Sequence, residues 1–338
     1  MSRIVLVTPA RAGARSGNRH TAQRWAGFLR ADGHRVAMST TWDGTPCDVM
    51  LALHARRSHE AIARFRAAHP RGGLCVALTG TDLYRDLPAS AEARLSLAWA
   101  DRLIVLQSEA RHRLPSRERR KARVVYQSSD VRARRAAPSR VFRIAVVGHL
   151  REEKDPFRAA AALAHLPPAL GVEVVQVGGA LSPAMAREAR RCMAREPRYR
   201  WLGSLPHARA LGWIARSHVL VVSSRMEGGA NVIAEAARLR VPVLASRIEG
   251  NVGMLGRGYP GYYRTGDSKA LSRLIHRAQA DADFYARLQR AMAARRSRHA
   301  PSAERSALSE ALRGMRPRSS STLLRAGASV QSRAPKPQ

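Results

Sequence analysis

Apolar and polar positions fall into two successive alternating series along the chain. In the first, short apolar runs predict strands at 3–8, 35–39, 48–53, 74–78, 102–106 and 123–127. Helix-period segments at about 18–31, 58–68, 89–98 and 107–113 stand between several of them, the first stopping near Gly33. Residues 128–140 lack an apolar period, carry Pro138 and read as an interdomain linker. The alternation then restarts, with strands at 142–148, 172–177, 199–202, 219–222 and 242–245. Its helices fall at about 156–164, 183–195, 207–215, 231–239, 267–279 and 282–296, and 251–263 is a Gly/Tyr-rich stretch. Strands alternating with helices predict parallel sheets covered on both faces. The expected fold is α/β, with two doubly wound Rossmann-like domains facing a central cleft at the carboxyl ends of the strands.

The most informative stretch runs from Val219 to Leu239. Val219 to Val222 reads as a buried strand, Ser223 to Gly229 as a polar turn ending in two glycines, and Asn231 as the N-cap of a helix. Amides converging at a helix N-terminus suit a phosphate. Glu227 on the loop and Glu235 eight residues later, about two helical turns on, bracket that seat. Carboxylates that accept from vicinal hydroxyls, with a diphosphate between them, describe a nucleotide-sugar site. Lys154 follows another strand and a tight turn at Gly148, which puts an ammonium near the same diphosphate.

The N-terminal series offers donors at successive strand ends. Gly17, Asn18 and Arg19 open a helix after a flexible loop. His54, Arg56 and Arg57 follow one strand, and Thr79, Gly80, Thr81 and Asp82 follow another and should face the cleft. Arginine forks bind phosphate-like oxygens well.

With 338 residues, the chain has room for two such cores. Its formal charge of +34 would ordinarily suggest nucleic acid. The arginines are scattered among alanines, however, without a basic stripe interleaved with aromatics or a nucleic-acid-binding signature. Solvated side chains and attraction of anionic substrates account for the excess better than a specific nucleic-acid partner. Cys47, Cys75 and Cys192 have no metal or disulfide spacing, and the histidines lack ligand spacing. No metal and no cofactor are expected. The chain starts on a strand and has no apolar run near the ~18 residues of a membrane span, so a cytoplasmic protein without membrane contact is expected.

The segment E-G-G-A-N-V-I-A-E at 227–235 resembles the E-x7-E motif of family-4 glycosyltransferases with the GT-B fold. V-V-G-H-L-R-E-E-K-D at 146–155 resembles their G-R-L-x-x-E-K-G segment, with Gly148 and Lys154 in register. More narrowly, 17–25, 53–58, 78–86 and 223–235 resemble the bacterial selenosugar synthases of selenoneine biosynthesis, and the similarity covers roughly residues 3–312. The resemblance implies a metal-independent transfer from UDP-N-acetylglucosamine or UDP-glucose to selenophosphate, giving a selenosugar, UDP and phosphate. Glu227 and Lys154 would be catalytic, and Gly148, Lys154, Ser224, Arg225, Glu227, Gly228, Gly229, Ala230, Asn231 and Glu235 would hold the donor. Gly17, Asn18, Arg19, His54, Arg56, Thr79, Gly80, Thr81 and Asp82 would hold the acceptor. The family's Arg is here His149, with Arg151 or Arg225 as substitutes, and the DxD motif of metal-dependent transferases is absent. The resulting organisation is an acceptor-side domain (1–128), a linker (129–140), a nucleotide-sugar domain (141–281), helices packing back on the first domain (282–313, chiefly 282–296) and a disordered basic tail (314–338). Two alternatives stand: an ordinary family-4 transferase using a hydroxyl acceptor, and a nucleic-acid-binding protein on a GT-B scaffold.

Overall fold

The computed structural model describes residues 1–10, 13, 17–131 and 141–315. They form two six-stranded sheets with all pairings parallel. The first contains β1 (Arg3–Val7), β2 (Arg35–Ser39), β3 (Val49–Leu53), β4 (Gly73–Leu78), β5 (Arg102–Val105) and β6 (Ala122–Val124), in the order β2-β1-β3-β4-β5-β6. The second contains β7 (Phe142–Val147), β8 (Val172–Val177), β9 (Tyr199–Trp201), β10 (Val219–Val222), β11 (Val243–Ser246) and β12 (Tyr262–Tyr263), in the order β12-β11-β10-β7-β8-β9. Strands β3, β4, β10 and β11 are buried at every residue because helices cover both faces, which explains their unbroken apolar runs. The edge strand β2 has no fully buried residue.

Strand order reverses once in each sheet, between β1 and β3 and between β7 and β10. At such a switch point the connecting loops leave in opposite directions and open a crevice beyond the carboxyl ends of the strands. The two crevices face each other across the domain junction. This is the α/β architecture of two Rossmann-like domains around a cleft that the alternating pattern predicts.

The first sheet is sandwiched between two apolar layers. Ile62, Phe65, Ala93 and Leu97 pack on one face. Trp25 and Leu29 of helix Gly17–Ala31 cover the other, together with Leu308 and Ala311 of helix Pro301–Leu312. The helix that crosses back to the first domain is thus Pro301–Leu312. The segment expected to do so, 282–296, instead forms helix Ala282–Ala293, whose Phe284, Leu288 and Met292 join the core of the second domain. Their i, i+4, i+8 spacing is an apolar stripe that a nearby sheet buries.

One carboxylate fixes the crossing. Glu304, 1 % exposed, accepts from Arg24 (2.6 and 3.0 Å), Trp25 Nε1 (2.7 Å), and the amide (2.7 Å) and hydroxyl (2.5 Å) of Ser128. His299 donates from Nδ1 to the Gln127 carbonyl at 2.8 Å, and burial pushes its imidazole pKa down to about 4. The two chain crossings, near 127–131 and near 299, are therefore pinned together. Gln127, Ser128 and Ser129, partly assigned to a linker, are buried. The remainder of that linker, 132–140, and the tail from 316 lie outside the described residues.

Other differences are local. The segment 107–113 is a short 3-10 turn, Glu109–Arg113, and the Gly/Tyr-rich stretch overlaps helix Glu249–Leu255 before it reaches β12. A Cβ at Gly253 would sit 1.7 Å from Gln107 Oε1, so a glycine is needed where this helix meets the first domain. Arg113–Glu249 (2.7 Å) and Arg257–Glu109 (2.9 Å) ion pairs flank that contact.

Candidate active site

The site is built around the β7/β10 switch point. β7 is followed by Gly148, whose φ of 155° turns the chain into a loop leading to the single turn Glu152–Lys154. Ser223, just after β10, hydrogen-bonds through its hydroxyl to the carbonyls of Lys154 (3.0 Å) and Asp155 (2.9 Å). The Arg225 amide donates to the Glu153 carbonyl at 2.8 Å. The two loops are thereby stitched together, and the Lys154 ammonium meets Glu227 Oε1. Ser224 donates to the same oxygen at 2.6 Å, while the Ser246 hydroxyl donates to the Ser224 carbonyl and is itself held by Asn251. Glu227 is 7 % exposed, so lysine and serine replace its lost hydration.

Gly228 and Gly229 carry the chain into helix Asn231–Leu239. The N-cap is Ala230 and makes no side-chain cap bond, so the expected capping by Asn231 is not observed. Asn231 is instead the first helical residue, and its buried Oδ1 has no hydrogen-bond partner among the described residues. The uncapped amides and the positive end of the dipole are left for an anion. Further along, Glu235 is 7 % exposed, and burial raises its carboxyl above the usual range, against the opposing charges of His207 and Arg24. His207 Nε2 stands 3.7 Å from Glu235 Oε1, and its ring meets His20 of the first domain edge-on at 5.7 Å.

The opposite wall comes from the loops after β1, β3 and β4. Asp82 is fully buried and accepts from the amides of Thr79 (2.9 Å), Gly80 (2.8 Å), Leu83 (3.1 Å) and Ala55 (3.2 Å). It shapes the 79–81 turn from behind, and that turn touches the glycine loop of the other domain. A Cβ at Gly228 would lie 2.4 Å from the Thr79 carbonyl oxygen, and one at Gly80, whose φ is 134°, would lie 2.9 Å from the Gly228 nitrogen. His54, with φ of 74°, is 1 % exposed; its Nδ1 accepts from the Arg57 amide at 3.3 Å, and its Nε2 is 3.1 Å from Thr81 Oγ1.

Between the walls lies a cleft of about 990 Å³. Gly17, Asn18, His54, Thr79, Gly80, Thr81, Gly148, Lys154, Glu227, Gly228, Gly229, Ala230, Asn231 and Glu235 line it, as do His149 and Arg151. Arg19, Arg56 and Asp82 do not. Arg19 lies off the helix face that presents positions 17, 18, 20, 21 and 24. Arg56 pairs with Asp86 at 3.0 Å, and the expectation that Asp82 faces the cleft fails because backbone amides engage its carboxylate. Ser224 lies under Glu227, and Arg225 borders a second cavity of about 690 Å³ among Leu83, Leu87, Met226, Glu227 and Ile248. Arg57, read from the strand end with His54 and Arg56, lines the cleft, whereas His20, Arg24 and His207 also line it and were missed. Sequence spacing carries no sign that His207 meets a carboxylate 28 positions later. No group of three potential metal ligands occurs among the described residues.

Two facing Rossmann-like domains with the site at their junction define a GT-B glycosyltransferase fold. Residues 128–295 match the family model "Glycosyl transferases group 1". Anabaena HepE, solved with UDP and glucose, is similar over 92 % of this chain and 99 % of its own, with TM-score 0.75 and 17 % identity. Sucrose-phosphate synthase from Thermosynechococcus elongatus gives 0.74 and 17 % over 92 % and 98 %. A glycosyltransferase from Rickettsia africae gives 0.68 and 14 % over 92 % and 99 %. No curated protein matches the sequence. No described helix is long and apolar enough to cross a membrane.

Proposed function

We propose that the protein transfers the sugar of a UDP-sugar, UDP-N-acetylglucosamine or UDP-glucose, to selenophosphate in the cytoplasm. Selenium attacks the anomeric carbon, the bond from that carbon to the UDP oxygen breaks, and UDP leaves. Water then cleaves the phosphorus–selenium bond to give the selenosugar and phosphate. The carrying observation is the Lys154–Glu227–Ser224 cluster beside an uncapped helix N-terminus, with Glu235 further along the same helix. HepE, similar in fold, holds UDP and glucose, which favours a nucleotide-sugar donor here.

The cluster suggests how binding and chemistry are linked. The incoming diphosphate competes with Glu227 for the Lys154 ammonium, and the released carboxylate accepts hydrogen bonds from sugar hydroxyls. Glu235 accepts from the ribose. Charge developing on the departing UDP is met by Lys154, Arg151 and the helix amides, a preorganised electrostatic stabilisation that uses no metal. The test separates binding from turnover. Glu227→Gln should leave UDP bound at least as tightly, since Lys154 is freed, while turnover falls at least a hundredfold. Lys154→Met should weaken UDP about tenfold or more. Weaker UDP binding by Glu227→Gln would overturn the exchange. A hydroxyl acceptor is the second reading, favoured by the mixed apolar and charged cavity against Glu227, which has room for a bulkier group.

A further inference from the structure

The hydrogen bonds around His54 determine its tautomer. Its Nδ1 accepts from the Arg57 amide, so Nδ1 carries a lone pair and the ring proton is on Nε2. Nε2–H then donates to Thr81 Oγ1 at 3.1 Å, with Asp86 Oδ2 3.7 Å away on the same side. Burial lowers the imidazole pKa, helped by Arg57 and Arg56 and opposed by Asp82 and Asp86. The His54 geometry is held in place: a left-handed backbone at a non-glycine residue is costly and persists where its surroundings over-determine it. With one lone pair of Thr81 Oγ1 engaged, its own proton has no acceptor among the described residues and is available to the cleft, which Thr81 lines.

We propose that Thr81, oriented by His54, donates its hydroxyl proton to an anionic oxygen of the acceptor, with Arg57 beside it. This half of the cleft therefore selects an acceptor that arrives ionised. Neither group serves as a base: the lone pair of His54 is on Nδ1, which the Arg57 amide engages, and a threonine hydroxyl is too weakly basic. This pair offers a hydroxyl acceptor no base, whereas a phosphate-type anion needs donors only. The inference deepens the selenophosphate reading and rests on it for the identity of the acceptor. Thr81 is a binding residue, and His54 acts through it as a positioning residue.

The test uses inorganic phosphate as probe, titrated into UDP-saturated protein by calorimetry, and selenophosphate kinetics with each variant. Thr81→Val should weaken phosphate and raise the KM for selenophosphate about tenfold or more, as expected for loss of a hydrogen bond to a charged group. UDP affinity should not change, and Thr81→Ser should stay within about threefold of the parent. His54→Asn, which tolerates the left-handed backbone, should raise the same KM by a smaller factor with kcat little changed. Phosphate binding by Thr81→Val equal to the parent, or none by the parent at millimolar concentration, would overturn the subsite. Phosphate binding that depends on Thr81 without turnover of selenophosphate would keep the subsite and reject the selenium chemistry.

Discussion

The two walls of the cleft are built by different means. The wall proposed for the donor is local: strand β10, two glycines and the helix from Asn231 lie in one run, and the loop carrying Lys154 is stitched to it by Ser223 and Arg225. The wall proposed for the acceptor is assembled from three loops, and helix Gly17–Ala31 is held by Glu304, 280 positions from its partner Arg24. A short motif specifies the first wall, whereas long-range packing specifies the second.

Breaking Glu304 should have the largest effect on this contrast. Glu304→Ala strips a buried acceptor from Arg24, Trp25 and Ser128, leaving a guanidinium uncompensated, and should cost about 3–5 kcal/mol in chemical denaturation. If the walls are as different as they look, the loss falls on the first domain and hinge, and hydrogen exchange in helix Asn231–Leu239 stays protected. The hinge adds a pH dependence. Folded His299 titrates at about 4, while an unfolded imidazole titrates near 6.5, so the unfolded chain binds the extra proton between these values. Stability from this group is complete above about pH 6.5 and declines toward pH 4, by at most about 3 kcal/mol. His299→Gln should flatten that part of the stability profile.

Gly228→Ala sharpens the comparison at the point where the walls touch. The new Cβ meets the Thr79 carbonyl, so the domains must part, and turnover should drop about a hundredfold (about 2.7 kcal/mol) while UDP binding changes much less. Glu235→Ala acts within the donor wall and should weaken UDP about tenfold with stability nearly unchanged. UDP affinity should also fall on acidification at a pH above that of an ordinary carboxylate, because burial raises the Glu235 pKa.

The same contrast explains what could be read from sequence. Unbroken apolar runs such as Val49–Leu53 and Val219–Val222 signal buried parallel strands directly, and the two series of strands yield the two sheets. Lys154, Glu227 and Glu235 are placed by strand ends and helical spacing, which are local properties. The role of Asp82 was not legible, since its amide partners at 55 and 79–83 depend on how β3 and β4 pair. Nor was the crossing helix: residues 282–296 and Pro301–Leu312 both carry an apolar stripe, and only the tertiary site of Glu304 tells them apart.

The decisive measurement is UDP release by the purified protein from UDP-N-acetylglucosamine and UDP-glucose, with and without selenophosphate, in EDTA. Release that requires selenophosphate, survives EDTA and yields a selenium-bearing sugar is the expected result. UDP-sugar binding without selenophosphate-dependent release would contradict the acceptor assignment, and failure to bind either nucleotide sugar would contradict the reading of the Lys154–Glu227–Glu235 site as a whole.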